Sequence, residues 1–418
     1  MKKLLALLLV LVMAIPTLAL GEKVNLEFIQ WWASEAGGEN LQVIVDEYEA
    51  LNPDVNVELI TLPFGETRNQ TVTNFMTGTS ADIVGMNPPW VREFYDLGIL
   101  APLEEMIAAD ENYDTTLYPA YEQIDGHTYS VPYTQMGFFL FYNIDMFEAA
   151  GLAAPTNWAE LKDAAIKLTN AEENKYGMSL VLSESAAANG SILSLYPMLY
   201  AANGSTLKDG KFVANSDEMV AALTLIDDLQ KAGALLPGTT SKTEFQVVEE
   251  FAQGNIAMMI EHDGHIIITQ NRINETKNGM RFGIIPIPTI DGEGTPSLRH
   301  HGWDIAIAST CEHPQEAWDF ISYISSKEVL DRAGEYFGKV PAIKGSAPAS
   351  LTDAYPQYTD AIGYMATNPM IEELMLMPSS STCWTELTKA GSAVIQGTKT
   401  PEEALADCQK AWDKELGQ

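Results

Sequence analysis

Apolar and polar residues alternate over 24–29 (VNLEFI), which predicts a half-buried strand that ends at Gln30-Trp31-Trp32. A loop holding Glu35, Gly37 and Gly38 comes next. Leu41, Ile44, Val45, Tyr48 and Leu51 then share one helical face, and Asn52-Pro53 closes that helix. Alternation returns over 55–62. A strand, a helix and a second strand, if parallel, put ligands at the carboxyl ends of the strands, where Trp31 and Trp32 stand. The pattern continues with a helix over 69–76 closed by Gly78 and a short buried strand over 80–84. A loop with Pro88 and Pro89 presents Trp90 ahead of a helix that ends at Gly98.

The stretch 129–158 organises the rest. Pro132 fixes its own φ and pushes Val131 towards extended geometry, so the segment begins as a rigid crossing. The apolar run 138–142 reads as a buried strand. Asn143-Ile144-Asp145 turns into a short helix over 146–150, stopped by Gly151. A new helix starts with Asn157 as its cap and Glu160 at its third position. Further helices are expected over 158–168, 218–232 and 314–325, the third with Pro314 at its first position. Phe245, Val248, Phe251 and Ala252 mark one face of another, followed by an apolar strand over 256–260. No repeat or low-complexity linker appears, so strands themselves must join the parts.

The length of 418 residues favours two or three domains, and 46% hydrophobic against 19% charged residues argues for a folded chain. The net charge of −33 repels nucleic acid and anionic lipid, so neither is an expected partner. Residues 1–21 carry Lys2 and Lys3, an apolar core and then Pro16 with small residues. This reads as a secretory signal peptide cleaved after Ala19 or Gly21, too short to remain as a membrane span. With no cysteine near that site, a freely diffusing periplasmic protein without a lipid anchor is expected. Cys311, Cys383 and Cys408 are read as unpaired and buried, with a Cys383–Cys408 bridge as the alternative.

Several segments in this order resemble the extracellular solute-binding proteins of ABC sugar importers, the maltose-binding-protein type. They are FMTGTSADIV, with Ala81 where the family has proline, LGILAPL, the 129–158 stretch, FAQGNIAMMIEHDGH and the 401–405 segment PEEAL. The resemblance implies an α/β, two-lobed type II periplasmic-binding-protein fold, each lobe a central sheet flanked by helices. It implies a first lobe of 22–131 and 262–312 and a second of 132–261 and 313–418, with crossings near Pro132, Ile260 and Cys311. It further implies capture of a carbohydrate between the lobes and delivery to ABC transporter permease subunits, by a monomer that needs no cofactor and does not insert into membrane. A binding protein for a phosphate ester or amino acid is the alternative, and a secreted glycoside-acting enzyme a more distant one.

A sugar offers hydroxyls that need directional hydrogen bonds and flat CH faces that stack on aromatic rings. Trp31, Trp32, Trp90, Trp303 and Trp384 are candidate platforms, the last because the resemblance places a stacking residue there; each also fits a packing role. Trp303-Asp304, directly after His300, His301 and Gly302, is the sharpest local combination. Glu35, Thr134, Gln135, Glu261, His262, His301 and Asp304 complete the ligand-binding candidates, weighted towards residues beside the crossings. His262-Asp263-Gly264-His265 lacks the helical HExxH spacing, so no metal site is expected. No nucleophile elbow, P-loop or dinucleotide fingerprint occurs, and the 57 carboxylates single out no catalytic pair, so no enzyme is expected. Only six arginines occur, with Arg299 alone near the candidates, which favours a neutral ligand.

Overall fold

The computed structural model describes residues 23–33, 38–119, 123–183 and 190–418; the signal-peptide segment and Glu35 lie outside them. In chain order the strands are β1 (Val24–Gln30), β2 (Val55–Thr61), β3 (Ile83–Met86), β4 (Val131–Pro132), β5 (Thr134–Asn143) and β6 (Tyr176–Ser179). They continue with the small hairpin β7 (Leu207–Lys208) and β8 (Lys211–Phe212), then β9 (Ile256–His262), β10 (Phe282–Pro286) and β11 (Leu298–His301). The last are β12 (Asp304–Ile307), β13 (Val340–Pro341) and β14 (Met370–Ile371).

Two sheets divide these strands. The first has the order β2-β1-β3-β12-β4, with β1 parallel to both β2 and β3 and with β12 running against β3 and β4. The second is built on β5, the strand that leaves the Pro132 crossing. Its first residues pair with β13 and β11, and its apolar half lies between β9 on one side and β10 on the other. Phe138, Phe139, Leu140 and Phe141 are at most 1% exposed, because strands cover both edges of β5 and helices both faces.

Two asparagines cap helices, Asn157 where expected and Asn143 ahead of Ile144–Ala149, which starts two residues before the expected 146–150. Asn143 accepts from the Met146 amide at 3.0 Å, and Asn157 from the Glu160 amide at 2.8 Å. Glu160 reaches back to Thr156 rather than to the Asn157 backbone, bonding its amide and its hydroxyl at 2.9 Å. The helix expected over 69–76 starts earlier, as Phe64–Thr77 after Pro63, and Gly78 closes it at φ 76°. In Glu244–Ala252 the buried face is Val247, Val248, Phe251 and Ala252. Phe245 is 50% exposed instead, its ring over His265 at the start of the helix. All three cysteines are free; Cys383 and Cys408 are buried, whereas Cys311 is only partly so.

The first crossing stands at Tyr133, between β4 and β5. The other two were expected near Ile260 and Cys311, and strand pairing moves both. β9, β10 and β11 all belong to the second sheet, so the chain returns to the first sheet only at Gly302-Trp303. Helices Pro314–Ile324 and Lys327–Phe337 then stay with the first sheet. Phe320 packs on Phe28 and Tyr48, and Arg332 donates to Glu47 at 2.7 and 2.8 Å. The chain leaves for good at Gly338-Lys339, ahead of β13. The three crossings touch: the Tyr133 amide donates to the Trp303 carbonyl at 2.7 Å, and the Ala342 amide to the Tyr133 carbonyl at 3.1 Å.

Candidate functional site

Beside the joined crossings lies a cavity of about 600 Å³. The first sheet contributes Ser130, Pro132 and Asp304 to its wall, and the second Gln135, His300 and Val340. Met365, Met370, Glu372 and Met375 close the far side. Asp304 opens β12 and Pro132 ends β4, and these two are register partners, which is why the carboxylate emerges where the sheets meet. Asp304 is 5% exposed and accepts from the Ser130 hydroxyl at 2.8 Å.

Behind the wall sits a buried charge pair. Arg299 Nη2 donates to Glu372 Oε2 at 3.0 Å, and the Leu374 amide to Glu372 Oε1 at 3.1 Å. The guanidinium also lies over the Phe138 ring, 4.9 Å from its centroid. Burial pushes the Glu372 carboxyl up to about 7, more than the neighbouring arginine pulls it down. Burial, reinforced by Arg299, lowers His300 to about 4, so its imidazole is neutral at pH 7 with one donor and one acceptor.

The His300 shift has a measurable consequence. Its value in the folded chain lies below the ordinary 6.5, so the native state binds fewer protons than the unfolded state between about 4 and 6.5. Stability from this group is therefore present above 6.5 and lost as pH falls through that window. Glu372 works in the opposite sense between 4.5 and about 7, and is common to both proteins in a comparison with His300→Gln. Urea unfolding is expected to show the parent losing about 2 kcal/mol more than His300→Gln between pH 7 and pH 5. Equal losses would remove His300 as a half-buried neutral base.

Of the sequence candidates, the structure puts Gln135 and Asp304 in the cavity wall. Trp31, Trp32, Trp90 and Trp303 meet beside the crossings, each at most 2% exposed, and spend their faces on one another. Trp32 stacks between Tyr133 (4.8 Å, 5°) and Trp303 (5.1 Å, 6°), and Trp31 meets Trp90 edge-on at 5.2 Å. The Thr134 hydroxyl accepts from the Trp303 amide at 2.9 Å, which ties two crossings together. Trp384 is buried within the helix Ser380–Ile395. The backbone of His301 pairs opposite Met136. Glu261 and His262 gather with His265 in a buried group outside the cavity lining.

Ser130, His300, Glu372 and the methionines were not among the candidates. His300 carries a usable signal: it lies in the strand pairing with β5 beside the crossing, one position from the candidate His301. Glu372 carries none, because its role depends on an arginine 73 positions earlier in the chain.

A family model described as bacterial extracellular solute-binding protein matches residues 43–361. The sn-glycerol-3-phosphate-binding periplasmic protein of Rhizobium meliloti is 25% identical over 370 residues, covering 83% of this chain and 80% of that one. The mannitol-binding protein of Pseudomonas aeruginosa is 22% identical over 404 residues, covering 90% of each. A solute-binding protein of an ABC transporter from Thermotoga lettingae, solved with α-D-tagatose, superposes with a TM-score of 0.79 at 24% identity. That match covers 94% of this chain and 100% of the other.

Proposed function

The chain belongs to the bacterial extracellular solute-binding proteins, and from that premise we propose that it captures a neutral, hydroxyl-rich solute of the sugar or polyol class between its two sheets. The observation that carries this reading is the wall of the cavity of about 600 Å³, which brings together the Asp304 carboxylate of the first sheet and the neutral His300 and Gln135 of the second. A carboxylate accepts from hydroxyls, while a neutral imidazole and an amide each both donate and accept, which suits a ligand covered in hydroxyls. Mannitol and tagatose, named for two of the relatives, share that chemistry, whereas the glycerol phosphate named for a third is an anion.

In this reading the lobes divide at Tyr133, Gly302-Trp303 and Gly338-Lys339, and the solute shifts an open–closed equilibrium by its differential affinity for the closed form. The closed form then docks on membrane permease subunits of an ABC transporter, and the protein works as a periplasmic carrier rather than as an enzyme. Among the described residues no helix is long and apolar enough to cross a membrane. A phosphate-ester ligand is the second reading, favoured by Lys344 in the cavity wall.

Calorimetry against neutral sugars, polyols and glycerol 3-phosphate tests the proposal. A neutral ligand is expected to bind, with affinity reduced about tenfold to a hundredfold in Asp304→Asn, the range for hydrogen bonds to a charged group. Binding of the phosphate ester alone, with no neutral ligand taken up at millimolar concentration, would overturn it in favour of the second reading.

A further inference from the structure

Where β9 ends, the chain turns sharply and brings Glu261, His262 and His265 together outside the cavity wall. The three are buried, at 0%, 6% and 3% exposure, and their ligating atoms all lie within 4.8 Å of one another. Glu261 Oε2 stands 3.2 Å from His265 Nδ1, and Glu261 Oε1 stands 3.7 Å from His262 Nε2. Bonds of roughly 2.0–2.2 Å from a central ion would hold such atoms about 3 to 3.5 Å apart, so the Glu261 pairs already stand close to that spacing and the group must contract where its atoms are wider apart.

Two observations separate this group from an ordinary buried histidine pair. Glu261 Oε2 and His265 Nδ1 face each other at 3.2 Å as an ion pair but out of hydrogen-bond geometry, and neither has a hydrogen-bond partner among the described residues. A buried carboxylate and imidazole this close are satisfied by a proton on the imidazole or by a cation that takes the place of that proton. The local charge points the same way. Glu261 and Asp263 are fully buried and Glu244 acts on His265 from the neighbouring helix, against the single ammonium of Lys339, which also lies 5.0 Å from the centre of the Trp303 ring.

We propose that Glu261, His262 and His265 form a binding site for a divalent transition metal of the zinc type. Two imidazoles and a carboxylate suit zinc, cobalt or nickel, whereas calcium and magnesium take oxygen ligands. Asp263 Oδ2 is also buried without a hydrogen-bond partner among the described residues and, one residue from His262, is a candidate for a fourth ligand or for a contact to a bound water. Its other oxygen accepts from the Gly137 amide of β5 at 2.7 Å. A metal here would therefore brace β9 and its turn against the strand that leaves the Tyr133 crossing. The ion is a structural clip, not the transported solute, and the site stands independently of which solute fills the cavity.

The test uses tag-free, full-length mature protein stripped with a chelator. Titration with cobalt(II), followed by visible absorption, and with zinc, followed by calorimetry, is expected to show one ion per chain. Glu261→Gln, His262→Asn and His265→Asn are each expected to weaken cobalt binding by about tenfold or more. His127→Gln, which alters an exposed histidine paired with Glu104, is expected to leave it unchanged. Circular dichroism identifies any variant that fails to fold, and the other variants then decide. Zinc is also expected to raise the melting temperature of the parent and not of Glu261→Gln. Absence of binding at millimolar cobalt by natively folded protein, or binding that all three folded variants retain, would overturn the proposal.

Discussion

Replacing Trp32 by alanine is expected to lower the free energy of unfolding by about 3–5 kcal/mol, the range for deleting a large buried aromatic side chain. Trp32 is fully buried, and both faces of its indole are covered, by Tyr133 on one side and Trp303 on the other. Phe28 and Trp31 meet it edge-on at 5.4 and 6.2 Å. Tyr133 and Trp303 are themselves crossing residues, so the indole is the filler that sets the distance between two connections of the lobes. Its Nε1 has no hydrogen-bond partner among the described residues, so the loss is one of packing. Trp32→Phe should accordingly recover a large part of it. Denaturant unfolding measures the difference, and calorimetry on the same variants measures ligand affinity. A loss of stability below about 1 kcal/mol, accompanied by loss of binding, would mean that the stack is a sugar platform rather than a hinge filler.

The same stack shows what sequence reading can reach. Trp31, Trp32, Trp90 and Trp303 were recognised as loop or strand-end indoles, but an indole that packs and an indole that binds sugar have identical local signatures. Only the fold reveals that these four find one another. Periodicity and caps were legible because they depend on neighbours in the chain. The alternation of β1 and β2, the Asn157 cap and the extended crossing at Pro132 all stand where the residues put them. The return crossings were not legible. β9, β10 and β11 are each apolar or extended, and nothing local tells which sheet an extended segment will join; all three pair antiparallel with β5, so the return comes two strands later, after β11. The cavity wall was half legible for the same reason. Asp304 and Gln135 border the crossings and could be chosen by position, while Glu372 enters from a distant segment through its bond to Arg299.

Gly302→Ala is expected to destabilise the protein by about 3 kcal/mol, at the upper end of the ordinary cost of overpacking, and to weaken ligand capture with it. Gly302 is not a glycine of backbone necessity, because its φ is not among the positive values. The constraint is space: a Cβ at this position would lie 2.3 Å from the Thr134 carbonyl oxygen and 3.3 Å from its carbon. Neither segment can retreat easily. The amides of Tyr133 and Thr134 both donate to the Trp303 carbonyl, at 2.7 and 3.1 Å, and the Trp303 amide donates to the Thr134 hydroxyl at 2.9 Å. Making room for a methyl group means breaking some of these bonds at the point where two crossings are held together, and the Trp32 sandwich lies directly over the damage. Gly363→Ala is the matched control, since a Cβ there meets nothing within 4 Å in the middle of the helix Pro356–Thr367. That change is expected to be neutral or to stabilise by about 0.5–1 kcal/mol through lower backbone entropy. Thermal and urea unfolding of the two variants should therefore move in opposite directions, and a Gly302→Ala protein as stable as its parent would show that the crossings yield independently of one another.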